Sequence, residues 1–202
     1  GTLDNQGTIL HAGGSPSLFD SIQLLNESLY NFTGDGALAV GNYSPFVTNT
    51  GTFEKTGGTG LSSTGVTFNN QGGTVYAKTG TLLPGRGTNA NGVYNADPGA
   101  TVNLQGYLSG NFTGGGGGSL LLGGNILILA ANASFNFPAG YFHWTANYIN
   151  LDGHTLTNLG TLTFNTSNGI YGNTSINING SGNQRGTLDN QGTILHAGGS
   201  PS

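Results

Sequence analysis

The sequence predicts an all-β chain built as a stack of parallel coils, and three observations carry that prediction. Residues 1–17 read GTLDNQGTILHAGGSPS, and residues 186–202 read the same phrase without a substitution. Weaker forms of the phrase recur in between. Apolar residues also alternate with small polar ones over short runs bounded by Gly and Asn. A fixed long period is the signature of a repeat architecture, and alternation at period two is that of half-buried strands. The simplest organisation is one long module, residues 1–185, followed by the opening of the next, residues 186–202. The start at Gly1 rather than Met, and the stop inside the repeated phrase, fit a piece cut from a longer tandem chain.

Taken in order, the recurring unit is an apolar residue, Asn, a short gap, Gly-Thr and a second apolar residue. Leu3 to Ile9 gives the first instance and Val47 to Phe53 the second. Phe68 to Val75 carries one extra glycine; Leu156 to Leu162 follows, and Leu188 to Ile194 repeats the first. Asn31-Phe32-Thr33-Gly34 is echoed by Asn111-Phe112-Thr113-Gly114. Val66-Thr67-Phe68, Val102-Asn103-Leu104, Phe135-Asn136-Phe137, Leu162-Thr163-Phe164 and Ile176-Asn177-Ile178 alternate as strands do. No stretch resembles a crossover helix, so successive coils are expected to stack in parallel, with inward residues filling a narrow core and recurring Asn and Thr laddering between coils. One segment reads two ways. Ser15 to Asp20 looks like a capping box, and Leu18, Ile22, Leu25 and Leu29 follow at helical spacing, so a short helix between Ser17 and Leu29 competes there with the strand reading, which ranks above it. Between residues 83 and 131 the phrase is poorly kept and coil boundaries are not readable.

The phrases VTNTGTFEKTGGTG at residues 47–60 and FNNQGGTVYAKTGTL at residues 68–82 resemble the repeat units of large secreted bacterial β-solenoid proteins, filamentous haemagglutinin-like adhesins and autotransporter passenger domains among them. The likeness covers residues 3–14, 47–82 and 156–164. It implies a right-handed parallel β-helix with little or no helix, exported to the cell surface or beyond and used for adhesion or as a structural fibre. With coils of roughly 20 to 25 residues, about eight or nine coils fill one period. At about 4.8 Å per stacked strand, one period advances the axis by about 40 Å.

Composition narrows the function classes. The chain has 39 Gly, only 6% charged residues, and neither Cys nor Met. The 8 Tyr and 10 Phe, with many Val, Ile and Thr, argue for packed β-structure rather than disorder. Net charge is −4 with 4 Lys plus Arg, too little positive charge for a run of phosphates or an anionic membrane surface, so no nucleic-acid partner is expected. No apolar run is long enough to cross a bilayer as a helix, and no membrane insertion is expected. The absence of cysteine fits a secreted polymer that needs no disulfides.

Candidate chemistry is sparse. The acids Asp4, Asp20, Glu27, Asp35, Glu54, Asp97, Asp152 and Asp189 show no local pairing of the kind glycoside hydrolysis needs, so no catalytic residue is nominated and no enzyme is expected. His11 and His196 are one position seen twice, His143 and His154 stand alone, and none has zinc-ligand spacing. Asp35 and Asp152 sit beside glycines and read as turn aspartates rather than Ca²⁺ ligands. The run Gly114 to Gly118 lacks the Lys-Ser or Lys-Thr of a phosphate loop and reads as a flexible loop or a tight coil corner. Neither metal nor cofactor is expected. Several Asn-x-Ser/Thr sequons, at Asn26, Asn31, Asn42 and Asn111 among others, leave glycosylation open. Phe135, Phe137, Tyr141, Phe142, Trp144 and Tyr148 form an aromatic cluster. Phe135 and Phe137 alternate as core residues, whereas Tyr141, Phe142, Trp144 and Tyr148 are the candidates for a lateral or ligand contact if they point outward. The function expected is a structural module of a tandemly repeated extracellular bacterial fibre or stalk whose partners are copies of itself. An adhesin presenting a carbohydrate- or protein-binding surface is the alternative, and a β-helix carbohydrate-active enzyme a more distant one.

Overall fold

A computed structural model describes residues 1–144, 148–164 and 186–196. The first turn holds β1 (Thr2–Asn5), β2 (Thr8–His11) and β3 (Ser17–Leu18). The second holds β4 (Gln23–Asn26), β5 (Leu29–Phe32) and β6 (Gly36–Val40), and the third β7 (Phe46–Asn49), β8 (Thr52–Lys55) and β9 (Leu61–Thr64). The fourth holds β10 (Thr67–Asn70), β11 (Thr74–Ala77) and β12 (Thr81–Leu83). Three long strands then run around the corners: β13 (Gly87–Ala96), β14 (Thr101–Thr113) and β15 (Ser119–Asn136). Short strands return as β16 (Phe142–Trp144), β17 (Tyr148–Asn150), β18 (Thr155–Asn158) and β19 (Thr161–Phe164), and the repeated phrase forms β20 (Thr187–Asn190) and β21 (Thr193–His196).

Every pairing between these strands is parallel and joins one turn to the next, so the fold is a three-faced β-solenoid. On the first face the register runs from Leu3 to Leu24, Val47 and Phe68. It continues through Gly87, Gly106, Leu127 and Ile149. Seven turns separate these eight positions, slightly fewer than the eight or nine coils expected for a whole period. Part of the difference has a plain cause: Thr155 pairs with Thr187, a step of 32 residues where most turns take about twenty. Among the described residues there is no helix.

The short segment that read two ways is strand. Leu18, Ile22, Leu25 and Leu29 are only half-buried, while Leu24, Tyr30 and Phe32 are buried at alternate positions. Asp20 and Ser21 both take positive φ (54° and 55°), which breaks the run between β3 and β4. The turn below and the turn above supply backbone partners to β4 on both sides, and that continuous ladder outweighs a local capping box.

The region whose boundaries could not be read has corners made differently. In β13 and β14 the register slips between Ala90 and Gly92, Leu104 and Gly106, and Leu108 and Gly110, where the following strand carries extra residues that bend it at the corner. Asn91, Gly106 and Gly110 take φ of 57°, 104° and 78° at these bends. Of the two readings open for the five-glycine run, the structure shows the coil corner, between β14 and β15. A Cβ on Gly114 would overlap the carbonyl of Tyr94 in the turn below, so the close approach of the two backbones requires glycine there.

The core is a narrow column of inward side chains from all three faces. Phe53 stacks between Tyr30 and Phe68 with ring centroids 4.9 and 4.7 Å away. Further along, Tyr94, Phe112, Phe135 and Phe142 form a second run, with Phe137 stacked on Phe142 at 5.1 Å.

Candidate functional site

The recurring Asn-x-Gly-Thr phrase builds one structure each time: a corner whose asparagine points inward. At the edge between the first two faces, Asn5 Nδ2 donates to Asn26 Oδ1 (2.6 Å), Asn26 to Asn49 (2.7 Å), and Asn49 to Asn70 (2.7 Å). Each amide also reaches a backbone carbonyl, that of Leu29 from Asn5 (2.9 Å) and that of Thr52 from Asn26 (2.9 Å). The four side chains are buried, so each rung satisfies groups that water cannot reach. Above Asn70 the ladder ends on a tyrosine: Asn70 donates to the Tyr94 hydroxyl (3.2 Å), which donates to Asn89 Oδ1 (3.1 Å). A second ladder starts near the other end, where Asn158 Nδ2 donates to Asn190 Oδ1 (2.8 Å) and to the Thr193 carbonyl (3.0 Å). Asn190 belongs to the repeated phrase and corresponds to Asn5. The ladder expected from the recurring Asn is therefore present, with a polarity: the amide of one turn always donates to the oxygen of the next.

The two copies of the phrase have the same strands but different surroundings. His11 is buried, its Nδ1 2.9 Å from the Tyr30 hydroxyl and its ring 4.5 Å from that of Phe32, both in the following turn. His196 is exposed. Asn5 is buried and Asn190 exposed. Burial of the phrase thus depends on the turn laid over it.

Three of the four aromatic candidates are buried. Trp144 and Phe142 are 0% exposed and Tyr141 is 3% exposed, so the outward placement that a lateral or ligand contact requires is not theirs. Phe142 and Trp144 are inward neighbours on β16, stacked above Leu120 and Leu122. Tyr141 precedes the strand, in a turn closed by its N–H on the Pro138 carbonyl, and this corner lets it point inward beside Phe142. The side chain of Tyr148 lies outside the described residues. Phe135 and Phe137 are core, as their alternation indicated. The exposed large apolar side chains are elsewhere, with Phe19, Val40 and Tyr43 grouped by sequence and pairing at the corner leading out of the third face.

Buried tyrosines are held protonated. Burial pushes the Tyr30 phenol up to about 12, and burial raises Tyr94 and Tyr141 further still; the Tyr141 hydroxyl donates to the Tyr94 carbonyl (2.7 Å). A phenol whose folded pKa lies above its unfolded value of about 10 favours folding while both states are protonated. That contribution is complete below pH about 10 and is lost as pH rises through the folded values. The chain is expected to lose stability steeply above pH about 10, with these three tyrosines ionising after the exposed ones. An ultraviolet phenolate titration followed alongside circular dichroism checks it; smooth ionisation of all tyrosines near 10 with the fold retained would contradict it.

Asp35 is a turn residue with a partner that sequence reasoning missed. Lys55, whose side chain is 0% exposed, donates to Asp35 Oδ1 (2.6 Å), to the Gly57 carbonyl (2.7 Å) and to Ser62 Oγ (3.0 Å). The Gly60 N–H also reaches the Asp35 carboxylate (3.1 Å). The hydrogen bond from Lys55 holds the Asp35 carboxyl below its usual range, and the Gly60 N–H adds to that. The stability this lends is present above the ordinary aspartate pKa and fades as pH falls through the lowered one. Lys55→Met is expected to leave the Gly57 carbonyl and Ser62 hydroxyl short of a donor, costing about 1–3 kcal/mol and removing this acid sensitivity. Urea midpoints at neutral and acid pH check both. Among the described residues, no group of three or more His, Cys, Asp or Glu side chains could hold a metal ion. Of the sequons, Asn26 is fully buried in the ladder, whereas Asn42 is exposed and bonded to Asp20.

Comparisons with protein families, with curated proteins and with solved structures find no match for the chain.

Proposed function

We propose that the chain is a structural module of a tandemly repeated extracellular bacterial fibre or surface stalk, in which β-solenoid modules stack end to end. The supporting observation is the docking of the repeated phrase: β20 and β21 continue the parallel ladder of β18 and β19 without a break, and Asn158 hands its amide to Asn190. The contact between one module and the next is then the same contact as between any two turns. Residues 1–185 form one module and residues 186–202 open the next. The mechanism is mechanical: continuous hydrogen bonding along three faces, with asparagine rungs at the corners, gives a stiff rod without catalysis or cofactor. Surface location follows from the resemblance of the repeat phrases to secreted β-solenoid proteins and fits a chain with no cysteine.

Mass spectrometry and sequencing of the native material test the reading. The expected continuation after Ser202 is Leu-Phe-Asp-Ser-Ile-Gln, as after Ser17, in a chain whose mass is a large multiple of one period. A chain ending near Ser202 but sedimenting as long polymers would make the repeated phrase a non-covalent coupling element in the same fibre. An unrelated continuation, or a chain that stays monomeric, overturns the proposal. The adhesin alternative keeps the same rod and moves its binding surface to the exposed corner at Phe19, Val40 and Tyr43.

A further inference from the structure

The two copies of the phrase stand on different faces of the solenoid. In the first copy, β1 belongs to the first face, paired with β4, and β2 to the second, paired with β5. In the last copy, β20 lies on the second face. It pairs with β18, whose Asn158 sits above Phe135, Phe112 and Gly92, at the leading edge of the β2–β5–β8–β11 column as it continues through Val93, Thr113 and Asn136. Likewise β21 pairs with β19, and β19 with β16, in the third-face column of Leu120, Val102, Leu82 and Ser62. The asparagine corner has moved with it, from the edge between the first and second faces to the edge between the second and third. The contacts holding the displaced copy are those of a normal rung. Asn158 reaches Asn190 Oδ1 and the Thr193 carbonyl as Asn26 reaches Asn49 Oδ1 and the Thr52 carbonyl. The displacement therefore uses the phrase's own corner geometry, set by Asn158-Leu159-Gly160-Thr161 standing one face later than Asn49-Thr50-Gly51-Thr52.

We infer that successive modules are related by a rotation of one face about the solenoid axis as well as by translation, so that three modules return the phrase to its starting face. This deepens the tandem-module proposal and rests on it for its extension along a fibre. In consequence, any group exposed on one side of a module, the Phe19, Val40 and Tyr43 corner included, is presented on three sides of the rod in turn. A fibre of this kind can meet copies of itself or a surface from every direction, whereas pure translation would line such groups along one edge.

The absence of cysteine allows a direct test on the 202-residue chain. Adjacent parallel strands lie about 4.8 Å apart, within the range of Cα separations of about 4.4–6.8 Å that a disulfide bridges. The rotated placement pairs Thr157 with Asp189 and Thr163 with Leu195. Unrotated placement would set Asp189 above Asn150, as Asp4 lies in the first-face column that ends there. Oxidised Thr157→Cys/Asp189→Cys is expected to cross-link on the order of tenfold more than Asn150→Cys/Asp189→Cys, since a pair on different faces lies beyond disulfide reach; Thr163→Cys/Leu195→Cys should behave as the first pair does. The reverse preference, or no cross-link from either rotated pair in a chain with a native circular-dichroism spectrum, overturns the inference. Cryo-electron microscopy of a chain of three consecutive periods then reads the rotation itself, about one third of a turn per module expected for three faces, and none if modules repeat by translation. Failure of the tandem proposal is read separately, from the native sequence after Ser202, and leaves the cross-linking result unchanged.

Discussion

Trp144→Ala is expected to destabilise the rod by about 3–5 kcal/mol and to do so as a core substitution. The ring is 0% exposed, lies beside Phe142 on the inner face of β16, and sits directly above Leu122 of the preceding turn. Truncation removes the packing of a large aromatic and leaves a cavity that strands pinned on both sides cannot close. Because Trp144 is the sole tryptophan, unfolding of the variant is followed by circular dichroism against denaturant, and the parent by circular dichroism and fluorescence together. A cost below about 1 kcal/mol, the range of exposed sites, would return the ring to the surface and revive the binding-platform reading. The same measurement separates the two functional alternatives. A ligand lost in parallel with global stability speaks of folding, not of a binding surface at this residue.

Asn49→Ala is expected to cost about 2–4 kcal/mol, although asparagine is the kind of residue usually replaced with little effect. Asn49 is the middle rung. Its oxygen accepts from Asn26, and its amide donates to Asn70 and to the carbonyls of Gly51 and Thr74. Alanine leaves a buried donor on one side and a buried acceptor on the other, and an unpaired buried polar group costs more than the bond was worth. Asn42→Ala, at an exposed asparagine, is the control and should stay within about 0.5 kcal/mol. Equal urea midpoints for the two variants would show that the ladder adds nothing. If the ladder also couples modules, weakening Asn158 or Asn190 should lower the stability of the joint while leaving the first four turns as they were.

Much of this was legible in the residues. Val47-Thr48-Asn49-Thr50-Gly51-Thr52-Phe53 states its own geometry: alternation gives strands, Asn and Gly give the corner, and recurrence gives the stacking. The inward pair Phe135 and Phe137 could be placed from alternation alone. The capping-box look of residues 15–20 left a helix as the lesser reading there, and a helix would have broken the ladder from β1 through β4 to β7. Lys55 was not legible as a buried residue. Nothing in Phe53-Glu54-Lys55-Thr56 announces that the lysine turns inward to Asp35, because that carboxylate arrives from the turn below, twenty residues earlier.

Preferences acting over a few residues, then, were enough to set the class of structure and the corner phrase, and the repetition of that phrase is written in the chain itself. The tertiary structure decided which face each residue occupies. Facing depends on the summed lengths of all preceding turns and bulges, and an extra residue at a corner, as in β14 between Ser109 and Phe112, shifts everything that follows. For that reason Tyr141 points inward although it stands next to Phe142, and the second copy of an identical phrase comes to rest one face further round.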